Sequence, residues 1–140
     1  MSEYYEHEDQ IKAMLAGRRK VRALPFPDLK DVEFGVRILT EEELDDSRLE
    51  AQKYVEGRAA TLGLELARML LVDPELLDRE IKRQIIFHAT VNPSVSDNPP
   101  PFFPEPGEIR KLDSVIVETL YQCYEDHQNF VDPLINLDEE

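Results

Sequence analysis

The stretch VNPSVSDNPPPFFPEPGE, residues 91–108, constrains the fold more than any other part of this sequence, because it holds six of the ten prolines. Proline fixes φ and has no backbone N–H, so the stretch can form neither a long helix nor an interior strand. Its three consecutive prolines favour the extended polyproline II conformation instead. We therefore expect a strap, residues 91–111, that returns the last part of the chain across the part that precedes it.

Two adjacent phenylalanines, Phe102 and Phe103, lie inside this strap. In one interpretation their rings pack into the core and anchor the strap across a helical hairpin. In the other, the strap is a docking arm whose rings fill a groove on a partner or a neighbouring subunit. PFFP also has the PxxP spacing of SH3 ligands, but the nearest flanking base is Arg110. Both phenylalanines are therefore candidate partner-binding residues.

The segments KVRAL and VEFGVRIL alternate apolar and polar residues and predict two antiparallel strands joined by the loop PFPDLKD. Phe34 and Val36 fall on the apolar face of the second strand, together with Val32 and Ile38. A hairpin of two strands is marginally stable alone, so this face must pack on helices or be extended by another chain. The free edge is a candidate assembly surface, and Phe34 and Val36 are candidate partner-binding residues.

Helical periodicity dominates the rest of the chain before the strap. Residues 3–16 predict a short amphipathic helix. TEEE, beginning at Thr40, is a capping box that starts either one long helix or two helices meeting near Gly57 or Gly63. DPELL predicts the next helix, with Asp73 as N-cap and Pro74 in the first helical position. Because the connection is short, we expect an antiparallel helical hairpin.

The last helix follows the strap and is capped by Asp113. Leu120, Tyr124 and His127 should face inward, with Ile116 on the same stripe. The predicted fold class is mainly α with a small N-terminal antiparallel β-hairpin, an α+β arrangement in a single domain. Its predicted parts are an N-terminal helix (1–17), the β-hairpin (18–39), the helical hairpin (40–90), the proline-rich strap (91–111), the C-terminal helix (112–131) and an acidic tail (132–140).

The net charge of −14 disfavours unaided binding to nucleic acid, because phosphate contacts need clustered cations. The charge is uneven, however: KAMLAGRRKVR carries five bases and no acid, whereas residues 112–140 carry eight acids and neither Lys nor Arg. These segments are either ordinary solvated surface or complementary surfaces that join subunits head to tail. RNA binding by RRKVR is a further alternative. The candidate partner-binding bases are Arg18, Arg19, Lys20 and Arg22.

No pattern typical of a catalytic or metal site is found in the sequence. The histidines, His7, His88 and His127, do not have the spacing of a helix-borne metal pair. The single cysteine, Cys123, lies in an acidic helix, where a packed thiol is expected rather than a nucleophilic thiolate. We therefore predict a protein that is not an enzyme and binds no cofactor or metal. The polar, acidic N-terminus and the lack of a long apolar run predict a cytoplasmic protein that neither enters nor binds a membrane.

The order of these parts resembles the tail assembly chaperones of long-tailed bacteriophages and related prophages. In that family a strand runs into a helix that starts with R-x-L-[ST]-x-x-E-L, and a final helix has the pattern L-x-x-x-Y-x-x-x-Q. The residues that match the first pattern are Arg37, Leu39, Thr40, Glu43 and Leu44. Leu120, Tyr124 and Gln128 match the second.

This resemblance implies a non-enzymatic, oligomer-forming protein of the host cytoplasm that binds the tape measure protein and helps to recruit tail tube protein. Such chaperones are absent from the mature virion. Two other functions remain open from the sequence. One is a structural virion component, such as a head–tail connector or tail protein, and the other is a small regulatory adaptor.

Overall fold

The computed structural model describes residues 21–93 and 99–131, which form a small sheet, five helices and the strap. The elements are β1 (Arg22–Phe26), β2 (Leu29–Val36), α1 (Glu41–Thr61), α2 (Leu66–Val72), α3 (Leu76–Ala89), β3 (Thr90–Val91), α4 (Pro106–Arg110) and α5 (Ser114–Val131). The predicted class, mainly helical with a small antiparallel sheet, is confirmed. The predicted helix at residues 3–16 and the acidic tail lie outside the described residues.

The sheet has three strands in the order β1-β2-β3, with antiparallel pairing throughout. Its hairpin turn is much tighter than the predicted seven-residue loop, because β1 continues to Phe26 and β2 begins at Leu29. Asp28 adopts a φ of 64° in this turn, a left-handed conformation that Asp tolerates. The third strand was not predicted. It is only two residues long and follows α3 directly, so no periodicity marks it in the sequence.

The outer edge of β1 is less suited to pairing with another strand than the hairpin prediction assumed. Pro25 has no N–H to donate, and the register with β2 shifts between Pro25 and Phe26. Prolines and bulges are features with which natural sheets resist edge-to-edge association. This edge is therefore a weak candidate for an assembly surface.

The helical hairpin forms as predicted, with α1 packed against α3. The start of α1 and the end of α3 contribute Leu44 and Ala89 to one core cluster, whereas their opposite ends contribute Val55 and Leu76 to another, so the two helices run antiparallel. The predicted capping box is confirmed, since the Glu43 N–H donates to Thr40 Oγ1 at 3.2 Å and the Thr40 N–H donates to Glu43 Oε1 at 2.9 Å. Of the two alternatives for the long apolar pattern, two helices are correct. They meet at Gly63, which has a φ of 72°.

Two details of α3 differ from the prediction. Asp73 is not its N-cap, because the helix begins at Leu76 after a turn, and the Asp73 carboxylate instead accepts a hydrogen bond from Arg79 Nη2 at 2.5 Å. The most buried face also includes Glu80 and Gln84, whereas His88 near the end of the helix is only half-buried. A buried carboxylate cannot be recognised from apolar periodicity.

The core consists of two clusters of apolar side chains. The larger one joins the sheet, α3, the strap and α5 through Phe26, Phe34, Val36, Leu39, Ile85, Ile86, Ala89, Phe103, Ile109, Leu120 and Tyr124. The smaller one joins the end of α1 to α2 and the start of α3 through Val55, Ala59, Met69 and Leu76.

The inward stripe predicted for α5 is confirmed, because Leu120, Tyr124 and His127 are buried. Its cap is confirmed too, since the Ile116 N–H donates to Asp113 Oδ1 at 2.9 Å.

Gly35 of β2 is a point of close approach. A Cβ atom built on it would lie 2.5 Å from Val21 Cγ1 and 3.2 Å from Val91 Cγ2. Real Cβ atoms do not make the shorter contact, so any larger residue must push Val21 or the sheet aside. By contrast, a Cβ atom on Gly57 of α1 meets nothing within 4 Å.

We expect Gly35→Ala to lower the free energy of unfolding by about 1–3 kcal/mol, the usual cost of overpacking a core. Gly57→Ala is the matched control and should raise it by about 0.5–1 kcal/mol, because alanine is the better helix former. Urea denaturation followed by circular dichroism measures both. Equal effects of the two variants would contradict the close approach at Gly35.

Candidate functional site

The proline-rich strap runs beside β3 and extends the sheet by a single bridge between Val91 and Pro101. Backbone hydrogen bonds flank this bridge on both sides. The Asn92 N–H donates to the Pro100 carbonyl at 2.9 Å, and the Phe102 N–H donates to the Thr90 carbonyl at 3.0 Å. The strap then turns into α4, which the sequence analysis did not predict. The strap thus lies at the sheet edge rather than only across the helices.

The two phenylalanines of the strap pack on the aromatic rings of the sheet. Phe103 is only 7% exposed, and Phe102 is partly buried. The Phe102 ring lies 5.6 Å from that of Phe26 and 6.1 Å from that of Phe34, measured between centroids. Of the two interpretations of these residues, the anchoring strap therefore describes the folded chain.

Four of the predicted partner-binding residues meet in the larger core cluster rather than on an exposed surface: Phe34, Val36, Phe102 and Phe103. Phe34 and Val36 are fully buried, so a partner would reach them only by displacing parts of this chain. Both are core residues of the folded chain, and their contact with a partner stays a prediction. Arg22 is exposed on β1. The other three bases, Arg18, Arg19 and Lys20, lie outside the described residues.

A buried carboxylate, Glu80 of α3, holds the end of the strap against the helical hairpin. It is 0% exposed and accepts Arg110 Nε at 3.0 Å and Arg110 Nη2 at 2.6 Å. Arg83 Nη1 and Gln84 Nε2 donate to it as well, at 3.2 and 3.1 Å. The Arg110 guanidinium also lies 3.7 Å above the ring of Tyr54 of α1. We call Glu80, Arg110, Arg83 and Gln84 the Glu80 clamp.

The Glu80 clamp keeps its carboxylate ionised. Burial by itself raises the pKa of Glu80, but the hydrogen bonds from Arg110, Gln84 and Arg83 outweigh this effect and lower the pKa below its ordinary value. The negative charge is therefore stabilised by donors rather than by water. In the sequence, DREIKR is indistinguishable from an exposed, charged helix face, so nothing there pointed to this clamp.

A second ion pair joins the sheet to α1. Arg37 Nη1 donates to Glu43 Oε1 at 3.0 Å, and Arg37 Nη2 contacts the other carboxylate oxygen. The hydrogen bond from Arg37 lowers the pKa of Glu43 to about 2, although burial acts in the opposite direction. Because Glu43 is also the last residue of the capping box, one side chain fixes both the helix start and its approach to β2.

Three exposed apolar residues lie close in sequence where α1, α2 and α3 follow one another, and we call Leu62, Leu71 and Val72 the apolar end. These side chains are 58%, 82% and 76% exposed. Only Met69 is buried within the whole of α2, whose sequence is LARMLLV. Apolar periodicity predicts a helix here but does not show which of its side chains are exposed.

Burial shifts the pKa values of two side chains of types that often take part in catalysis, His88 and Cys123. Burial lowers the pKa of His88 and raises the pKa of the Cys123 thiol, which disfavours the thiolate as predicted. Across residues 21–93 and 99–131, no three His, Cys, Asp or Glu side chains form a group suited to a metal ion. Among the same residues, no helix is both long and apolar enough to cross a membrane.

Truncation of the strap anchor should destabilise the fold. We expect Phe103→Ala to lower the free energy of unfolding by about 3–5 kcal/mol, because it leaves a cavity in the larger core cluster. Phe102→Ala, which changes the partly buried neighbour, is the control and should lower the free energy of unfolding by less. Chemical denaturation of both variants checks this, and an unchanged stability for Phe103→Ala would favour the docking-arm interpretation instead.

The Arg37–Glu43 pair should make stability depend on pH in acid. Folding lowers the pKa of Glu43 from 4.5 to about 2. The stabilisation of the fold by ionised Glu43 is therefore fully present above pH 4.5 and is lost as the pH falls toward 2. The difference in unfolding free energy between the native chain and Glu43→Gln should therefore shrink over that interval. Thermal denaturation at a series of pH values measures it. A difference that stays constant down to the lowest pH would refute the lowered pKa.

Comparison with known proteins assigns no family to the chain. No protein-family model matches it, and neither do curated proteins or solved structures. Its function therefore has to follow from its residues and their geometry.

Proposed function

We propose that this chain is a non-enzymatic tail assembly chaperone of a long-tailed bacteriophage or prophage, which binds the tape measure protein in the host cytoplasm and assists tail tube assembly. The observation that carries the proposal is the exposure of the apolar end in an otherwise strongly charged chain. Charged residues make up 33% of the sequence, yet α2 contains one charged residue among seven.

The apolar end is suited to an apolar helical client. A helix that is apolar nearly all round is normally buried, but α2 buries only Met69. Leu71 and Val72, at the end of α2, are the most exposed large apolar residues among those described. Surfaces of this kind are typical of protein interaction sites, and a helical client can lay its own apolar stripe against one.

The strong negative charge supports the same function. An aggregation-prone client masked by a chain of net charge −14 acquires a charged outer surface, which keeps the complex dispersed. The surface that would contact the client is small and apolar, whereas the rest of the exposed surface is rich in acids. This division is typical of a carrier that must hold a client without precipitating with it.

The residues that match the family patterns contribute to the fold rather than to the apolar end. Thr40 and Glu43 form the capping box, and Arg37 pairs with Glu43 where β2 passes into α1. Leu120 and Tyr124 are buried in α5. The resemblance therefore supports a shared architecture, and the apolar end supports the binding role.

Co-expression of the tagged chain with the tape measure protein of the same phage or prophage tests the proposal. The native chain should keep that protein in the soluble fraction and co-purify with it. Leu71→Ser combined with Val72→Ser should reduce the recovered tape measure protein at least about fivefold, because each change removes exposed apolar surface worth roughly 1 kcal/mol or more in a buried contact. Val115→Ser, which alters a 72% exposed residue of α5, is the matched control and should have no effect.

Several results would count against the proposal. Failure of the native chain to retain the tape measure protein would refute it, provided that circular dichroism shows a folded chain. Recovery of the chain as a component of purified particles would favour the structural virion alternative. Recovery of a small regulatory partner in its place would favour the adaptor.

A further inference from the structure

Four cations line one small cavity between α3 and the start of α5, and we call it the cationic pocket. They are Arg79, Lys82 and Arg83 of α3 and Arg110 of α4. The whole sequence has only 16 Lys and Arg, against 30 Asp and Glu. A quarter of the chain's basic residues therefore converge on a single site of a strongly acidic protein.

The cationic pocket has an apolar floor and a polar rim. Ile109, Leu112 and Val117 contribute apolar surface, and Ser114 contributes a hydroxyl. Ile109 is fully buried, so the floor belongs to the packed core. The cavity measures about 120 Å³, several times the roughly 10–15 Å³ that a cavity needs on this measure to hold one water, so it has room for a group of a few heavy atoms.

The nearby carboxylates do not use all the donors of these cations. Arg83 and Arg110 share one carboxylate, Glu80. The acids paired with the four cations are also four, Asp73, Glu75, Glu80 and Glu118, so what the site offers is unused N–H donors rather than surplus charge. Arg83 gives Glu80 a single hydrogen bond, out of the five N–H donors of a guanidinium. Lys82 Nζ forms an ion pair with Glu118, which also lines the pocket, but their distance of 3.7 Å is too long for a hydrogen bond. Arg79 is the best compensated of the four, because it binds Asp73 at 2.5 Å.

The geometry points to a phosphate group as the ligand, and we propose that the cationic pocket binds a free phosphate ion or the terminal phosphate of a larger molecule. Three or four donors approaching one small volume from two elements suit a multiply charged tetrahedral oxyanion, whereas a single carboxylate is satisfied by one guanidinium fork. A larger ligand would place its phosphate among these cations. This role is independent of the apolar end, which lies on other residues.

Titration of the ¹⁵N-labelled chain with inorganic phosphate, with sodium chloride adjusted to keep the ionic strength constant, tests the proposal. The Nε–Hε signals of Arg83 and Arg110 and the amide of Ser114 should move and reach saturation. Adenosine monophosphate is the second probe. Tighter binding than inorganic phosphate identifies the phosphate of a larger molecule as the ligand, and equal or weaker binding identifies the free ion.

Arg83→Gln is the informative variant, because it removes one cation and leaves both Arg110–Glu80 hydrogen bonds in place. It should weaken phosphate binding about tenfold, the size of one charged hydrogen bond. Arg48→Gln removes the same charge from an exposed position of α1, where Arg48 pairs only with Asp45 among the described residues, and should change binding by less than about twofold. NMR shifts that do not saturate with phosphate would overturn the proposal. An equal loss of phosphate affinity in Arg83→Gln and Arg48→Gln would overturn it too, because it would indicate non-specific charge screening.

Discussion

The Glu80 clamp is the interaction on which the arrangement of the C-terminal third depends. The Glu80 carboxylate is buried away from water and accepts four hydrogen bonds. Two of them come from Arg110, thirty positions later in the chain. Loss of one partner from such a buried pair is expected to cost about 3–5 kcal/mol, because an uncompensated charge remains. The clamp therefore determines where α4 lies on α3, and hence where α5 starts.

Much of the fold could be predicted because its signals are local. The capping box at Thr40 and the cap at Asp113 each act within a few residues, and the structure confirms them. The helix break at Gly63 was one of three alternatives that the sequence left open. The alternating pattern around Phe34 predicted a strand for a similar reason, since side chains alternate between the two faces of a sheet. Structural features that depend on neighbouring residues can therefore be predicted from short sequence patterns.

The features with most bearing on function could not be predicted, because they depend on residues distant in sequence. Glu80 looks like an ordinary surface acid until Arg110 is placed beside it. Leu71 and Val72 look like core residues, because apolar composition does not reveal which side of a helix is left uncovered. Phe34 and Val36 were offered as partner contacts since nothing in the sequence shows that the strap and the helices already cover them. Of the candidate site, only the proline-rich strap itself was visible in advance.

The packing of the strap on the sheet has a consequence for how the chain is made. The rings of Phe26 and Phe34 leave the ribosome long before Phe102 and Phe103, which stack against them. Until the strap is synthesised, a nascent chain must leave this aromatic surface open, and such surfaces favour aggregation. The helical hairpin, whose contacts come from the intervening residues, can form earlier. Biosynthesis of this protein thus passes through a stage in which the helical hairpin can be folded while the rings of Phe26 and Phe34 are not yet covered by the strap.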